Sequence, residues 1–170
     1  MVFMKKKISL ILVISFIFGL LSVNLVSASS ANYNVNSSDA YIKYLDDGSY
    51  LVIEFEQNDD NGISLLSTNI GGSKTITHYN SSNEALCALK LTATFSYDGT
   101  EVSCVGTKCT KYSYDSSWSV ENVTTSHSST STTKASATGN ADFIKRILGI
   151  KAKTVPVSTT IYCDKNGNLS

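Results

Sequence analysis

Between Leu86 and Tyr97 the chain alternates with a period of two. Cys87, Leu89, Leu91, Ala93, Phe95 and Tyr97 fall on one side, and Leu86, Ala88, Lys90, Thr92, Thr94 and Ser96 on the other. That period belongs to a strand with one buried and one largely wet face. It excludes an amphipathic helix over the same stretch, which would repeat near 3.6. Asp98-Gly99 follows at once and suits a two-residue hairpin turn. Such a turn pairs residues 85–97 with 100–105, placing Phe95 opposite Val102 and Ala93 opposite Cys104, on the apolar face. A strand this apolar on one side needs a second layer to cover it, so the expected class is an all-β, antiparallel β-sandwich.

Other segments agree with that class. Residues 40–45 and 50–55 flank Asp46-Asp47-Gly48-Ser49 and read as a hairpin with a type I′ turn. In that register Tyr44 faces Leu51, Ile42 faces Ile53 and Ala40 faces Phe55. A lone hairpin is marginal in water, so this one must add to a larger sheet or stay mobile. Further strands are expected at 74–79, 111–114, 117–123, 132–138 and 153–163. Pro156 cannot donate to a ladder, which makes the last an edge strand or a bulged one. Residues 124–133 hold nine Ser/Thr and one His, and form either a low-complexity loop or the wet ends of two strands. Residues 141–148 space Phe143, Ile144, Ile147 and Leu148 helically, and a short helix is expected there.

The amino terminus is of a different kind. Lys5, Lys6 and Lys7 precede the apolar run of residues 8–26, and Val26-Ser27-Ala28 offers small residues for cleavage after Ala28. Residues 1–28 therefore read as a secretory signal peptide. The expected organisation is a signal peptide at 1–28, an acidic leader with hairpin and linker at 29–71, and a β-sandwich module at 72–170. Charge follows the same division. Residues 29–71 carry seven acids and one lysine, hence −6, whereas residues 72–170 carry ten bases and seven acids, hence +3. The sum of −3 for residues 29–170 gives no electrostatic case for nucleic-acid binding. The product is expected to be secreted, with cell-surface association, and without stable membrane insertion once the signal is removed.

Four cysteines in an exported chain read as a disulfide framework with three possible connectivities. Their spacings of 16, 4 and 53 intervening residues contain no Cys-x-x-Cys, and neither His78 nor His127 stands at ligand spacing, so no metal or cofactor is expected. Extending the Asp98-Gly99 register sets Cys109 opposite Ala88, one position from Cys87, so a small bulge would join Cys87 to Cys109. Cys104 and Cys163 share the inward parity of their strands. Pairing Cys104 with Cys109 and Cys87 with Cys163 is the alternative. Cys104, Trp118 and Cys163 match the Cys…Trp…Cys order of immunoglobulin domains, with 13 and 44 residues between them. Tyr162 directly precedes Cys163, where a tyrosine corner would lie two residues before it. The expectation is thus a sandwich immunoglobulin-like in size and cysteine–tryptophan order, with Trp118 as a core plug.

No stretch forms a nucleophile elbow, a zinc-peptidase helix or a phosphate loop. Asn58-Asp59-Asp60-Asn61-Gly62 fails the calcium-loop pattern, with Gln57 and Thr68 where acids are needed. Lys145, Arg146, Lys151 and Lys153 form a basic cluster, a candidate anion-binding patch for an anionic cell-wall polymer, a protein, or the chain's own acidic leader. The function expected is a non-enzymatic secreted interaction module contacting the cell envelope, another protein or a host surface. One alternative is an antimicrobial or toxin-like polypeptide, with residues 141–153 as its active segment. The other is a hydrolase of unrecognised type using His78 or His127 with an acid.

Several short motifs stand in a fixed order: Asp47-Gly48-Ser49-Tyr50, Gly72-Ser73-Lys74-Thr75, Tyr79-Asn80-Ser81-Ser82, residues 90–97 (KLTATFSY), Cys104, residues 114–118 (YDSSW), Cys163 and residues 166–170 (NGNLS). In these the chain resembles a family of small, functionally uncharacterised secreted proteins of clostridial-type Firmicutes, Gram-positive bacteria. The resemblance implies export, a β-rich fold and a Cys104–Cys163 pairing. It implies no activity and no catalytic residue. Cys87 and Cys109 depart from the family pattern and look like a matched addition.

Overall fold

The computed structural model describes residues 40–58 and 68–170. The signal peptide, the start of the leader and the acidic turn at 59–62 lie outside the described residues. The described chain forms two antiparallel sheets. One holds β1 (Tyr41–Tyr44), β2 (Tyr50–Asn58), β3 (Thr68–Tyr79), β4 (Ala85–Tyr97) and β5 (Val102–Ser113), in that order. The other holds β6 (Trp118–Ser131), β7 (Lys134–Ile147) and β8 (Ile150–Asp164). Every strand neighbours the next in sequence within its sheet, so the β-sandwich is a meander, without the Greek-key connections of an immunoglobulin domain.

The sheets face each other across a shared apolar layer. Leu51, Ile76, Cys87 and Leu89 of the first pack with Trp118, Val120, Phe143, Val155 and Val157 of the second. Further along, Leu91, Ala93, Phe95 and Val102 pack with Ala135, Ala137, Ile161 and Cys163. Small residues on β7 let the layers approach closely. A Cβ on Gly139 would stand 2.5 Å from the Cys109 sulfur and 3.4 Å from Leu91 Cδ1. The chain turns from one sheet into the other at Asp115, whose carboxylate accepts from the Ser117 amide at 2.7 Å and from the Ser117 hydroxyl at 2.7 Å. After β8 the chain folds back, with paired bonds between Tyr162 and Ser170, and Leu169 enters the second half of the core.

The inward series of β4 is borne out, with Cys87, Leu89, Leu91, Ala93 and Phe95 all buried. Leu86 and Ala88, on the face expected to be wet, are buried as well, so the alternation of burial begins only at Leu89. The two expected hairpin registers are not. The first turn is a three-residue loop, Asp46-Asp47-Gly48, closed by the Leu45 amide on the Ser49 carbonyl at 2.9 Å, with Gly48 at φ 79°. That geometry pairs Tyr44 with Tyr50 and Ile42 with Val52, one residue away from the expected partners. The second turn spans Asp98–Glu101, because the Asp98 carboxylate accepts from the amides of Thr100 and Glu101, each at 2.8 Å. Phe95 therefore faces Cys104 and Tyr97 faces Val102.

Other boundaries move as well. The 40–55 hairpin joins β3 along the whole of β2, and β3 begins at Thr68, inside the stretch read as linker. Residues 141–147 are strand rather than helix and Leu148 opens the turn that follows, because the inward series Ala135, Ala137, Gly139, Ala141, Phe143 runs on into this stretch. The Ser/Thr-rich segment is the wet end of the β6–β7 hairpin. Pro156 lies on the edge strand β8, opposite Asp142.

Candidate functional site

The basic cluster sits where β7 runs into β8. Lys145 pairs with Lys153 across the two strands and with Trp118 on the other side. These lysines continue the inward face beyond Phe143 and Val155, so their side chains emerge at the open end of the sandwich. Lys153 forms an ion pair with Asp47 in the β1–β2 turn, linking the two sheets. The expected contact between the basic cluster and the acidic leader is therefore present. Arg146 is also paired, to Glu121 at 2.6 Å. Lys145 and Lys151 make no hydrogen bond or ion pair among the described residues, although Asp115 feels Lys145 and Glu121 feels Lys151 at longer range. The four-residue patch thus reduces to two uncommitted ammonium groups, with Asp47, Asp115 and Glu121 as the acids beside it.

The cluster flanks an apolar turn that the sequence pattern left unmarked. Ile147 pairs with Ile150, and Leu148-Gly149 between them form a two-residue turn at φ 51° and 80°. Both values are positive, as a type I′ turn requires. Leu148 is 97% exposed, Ile150 72% and Ile147 54%. The Leu-Gly step is visible in the sequence, but the helical spacing of Phe143, Ile144, Ile147 and Leu148 pointed to a short helix instead.

A second polar constellation lies inside the fold. His78 Nε2 is 3.0 Å from Ser49 Oγ, and Ser49 Oγ is 2.6 Å from Asp47 Oδ1. The Asp47 carboxyl is held well below the usual carboxylate range, first by Lys153 and then by the Ser49 hydroxyl. It is ionised and only accepts, so the Ser49 proton points to Asp47. Ser49 Oγ then accepts from His78 Nε2–H, which leaves Nδ1 as the bare nitrogen. Nδ1 has no hydrogen-bond partner and is buried. Burial, with the charge of Lys153, pushes the His78 pKa down to about 4, against an opposing pull from Asp47. The imidazole stands edge-on to Trp118, with ring centres 4.6 Å apart. A catalytic serine must donate to its histidine; here the histidine donates to the serine, and both are buried. The relay ties the first turn to β3. His127 is exposed on β6, opposite Ala137.

The cysteines are thiols. Cys104 and Cys163 border the same half of the core, and Cys104 lies close enough to contribute to the upward shift of Cys163, whose pKa burial pushes up to about 11. Cys87 faces Ser113 and Cys109 faces Leu91. Four positions along β4 then separate Cys87 from Cys109, roughly 13 Å, beyond disulfide reach. This corrects the expected Cys87–Cys109 pairing. The same rise puts Cys104 and Cys109 too far apart on β5. Burial raises Cys87 to about 12, as expected of an inert core thiol. Among the described residues, no group of three or more His, Cys, Asp or Glu side chains could hold a metal ion. No protein-family model, curated protein or solved structure matches this chain.

Proposed function

We propose that the chain is an exported, non-enzymatic interaction module of a Gram-positive cell. On this reading residues 1–28 direct export, and the mature protein is secreted and held near the cell surface. Its sandwich, of immunoglobulin-like size and Cys…Trp…Cys order, serves as a rigid support for the β7–β8 end. The partner is an anionic envelope polymer. The observation that carries the reading is the pair Lys145 and Lys151, uncommitted at the open end of the sandwich while Arg146 and Lys153 are held by acids.

Immobilised linear polyphosphate is a suitable probe. Residues 29–170 are expected to be retained, and retention is expected to fall as salt rises, since exposed charges are screened beyond about 10 Å at 0.1 M. Lys145→Gln with Lys151→Gln should weaken retention, whereas Lys134→Gln, at the far end of β7, should not. Retention that ignores both salt and the double change overturns the proposal. So does turnover of a glycan or peptide substrate that is lost when His78 or one acid is replaced. The antimicrobial or toxin-like alternative draws on the exposed apolar turn within 141–153, and killing of neighbouring bacteria by the purified protein tests it.

A further inference from the structure

The β7–β8 turn is costly twice over. Leu148 holds a left-handed backbone conformation that a branched side chain disfavours and that asparagine adopts readily. It also exposes nearly all of its side chain, between two further exposed isoleucines. Nothing in the sandwich gains from this, because Ile147, Leu148 and Ile150 belong to neither half of the core. An Asn-Gly turn would close the same hairpin with less strain.

We infer that this turn is a bilayer wedge. Ile147, Leu148 and Ile150 enter the boundary between headgroups and acyl chains of an anionic phospholipid membrane, while Lys145 and Lys151 stay among the headgroups. The shape fits a fluid surface: the tip is convex, and its three large side chains are aliphatic. The charges fit as well. Lys145 and Lys151 stand two and one residues behind the isoleucines, so their stems can lie along the apolar layer with the ammonium groups outside it. Arg146 and Lys153 are committed to Glu121 and Asp47, and Asp115 lies near Lys145. The wedge therefore has little net positive charge and relies on its apolar tip for depth. The backbone can tolerate such a site, since the Ile147–Ile150 pair closes the ladder up to the turn. The inference rests on the proposed anionic contact of Lys145 and Lys151 and goes beyond the envelope polymer by adding the phospholipid headgroups as a second anionic ligand of the same two lysines.

The test uses residues 29–170, which contain every described strand and both halves of the core, and which lack the apolar run at 8–26. Flotation with phosphatidylglycerol-containing vesicles should carry the protein up, and pure phosphatidylcholine vesicles should carry less. Leu148→Asn should weaken vesicle binding about tenfold, the loss of one partly buried leucine, without lowering the thermal midpoint. Ile147→Ser with Ile150→Ser should act in the same direction. Lys145→Gln with Lys151→Gln should reduce binding to the anionic vesicles alone. Vesicle binding by Leu148→Asn equal to that of the unchanged protein overturns the wedge. Absence of vesicle binding beside salt-sensitive polyphosphate retention overturns the wedge and leaves the anionic contact standing. Vesicle binding lost in Leu148→Asn but indifferent to salt and to both lysine changes overturns the anionic reading and the headgroup role of the lysines.

Discussion

His78 makes the fold sensitive to acid. Its pKa of about 4 in the folded protein lies below the ordinary 6.5, so the unfolded chain binds that proton more readily. The stabilisation is complete above about pH 6.5 and is lost as pH falls through about 4. Its full size is on the order of 3 kcal/mol. Asp47 acts in the same direction at lower pH, because its depressed carboxyl pKa favours the folded state only while the group is ionised. Urea unfolding at about pH 7 and about pH 4 should show this loss, and His78→Gln should flatten the curve over that window. Ser49→Ala is expected to cost about 1–3 kcal/mol at pH 7, because it leaves the buried Nε2–H without an acceptor. An equally steep pH dependence in His78→Gln would assign the acid sensitivity elsewhere. None of this was legible from residue spacing. Ser49 and His78 are 29 residues apart, and only the β2–β3 register brings the turn over the ring.

At the scale of elements, the faces of the strands were legible and their registers were not. The parity of β4 depends only on the alternation of its own side chains, which is why Cys87 to Phe95 were identified as core. Register depends on loop length, which Asp-Gly alone does not determine. At the first hairpin the three-residue loop moved the pairing by one position, exchanging the faces of β1 relative to β2. At the second, the longer loop moved it by two, so the faces survived from Phe95 to Tyr97 while the partners changed. Beyond the irregularity between Thr94 and Phe95 the offset is three, and Cys109 comes to the core side opposite Leu91. The cysteines record this difference. The parity that pointed Cys104 and Cys163 inward was sound, and both border one half of the core. The Cys87–Cys109 pairing relied on register and failed with it. In protein exported to an oxidising compartment, non-reducing peptide mapping should find a 104–163 linked fragment and alkylatable thiols at Cys87 and Cys109. That bridge would close a loop of about 60 residues and contribute roughly 4 kcal/mol in the chain-entropy account. A fragment linking 87 to 109 would contradict the β4–β5 register itself.

For the whole molecule, the division between an acidic leader and a separate sandwich gives way to a single folded unit. The β1–β2 hairpin contributes Leu51 directly to the core and packs Ile53 and Phe55 against it. Its turn supplies Ser49 to His78 and Asp47 to Lys153, so it closes one end of the sandwich as well as extending a sheet. Composition hid this, because one of the residues that make the hairpin acidic, Asp47, also makes the ion pair to the other sheet. A chain beginning at residue 72 would lose β1, β2 and the first part of β3. It would expose one side of Ile76, strip the acceptor from His78 and leave the remainder of β3 as an open edge, a ready site for pairing with another chain. The expected outcome is that residues 29–170 give a monomer with a cooperative urea transition, whereas residues 72–170 aggregate or unfold without cooperativity. Size-exclusion chromatography with urea titration separates the two results. A chain of residues 72–170 that stays monomeric and unfolds at the same urea midpoint would show that the hairpin is an attachment to the sandwich and not part of its fold.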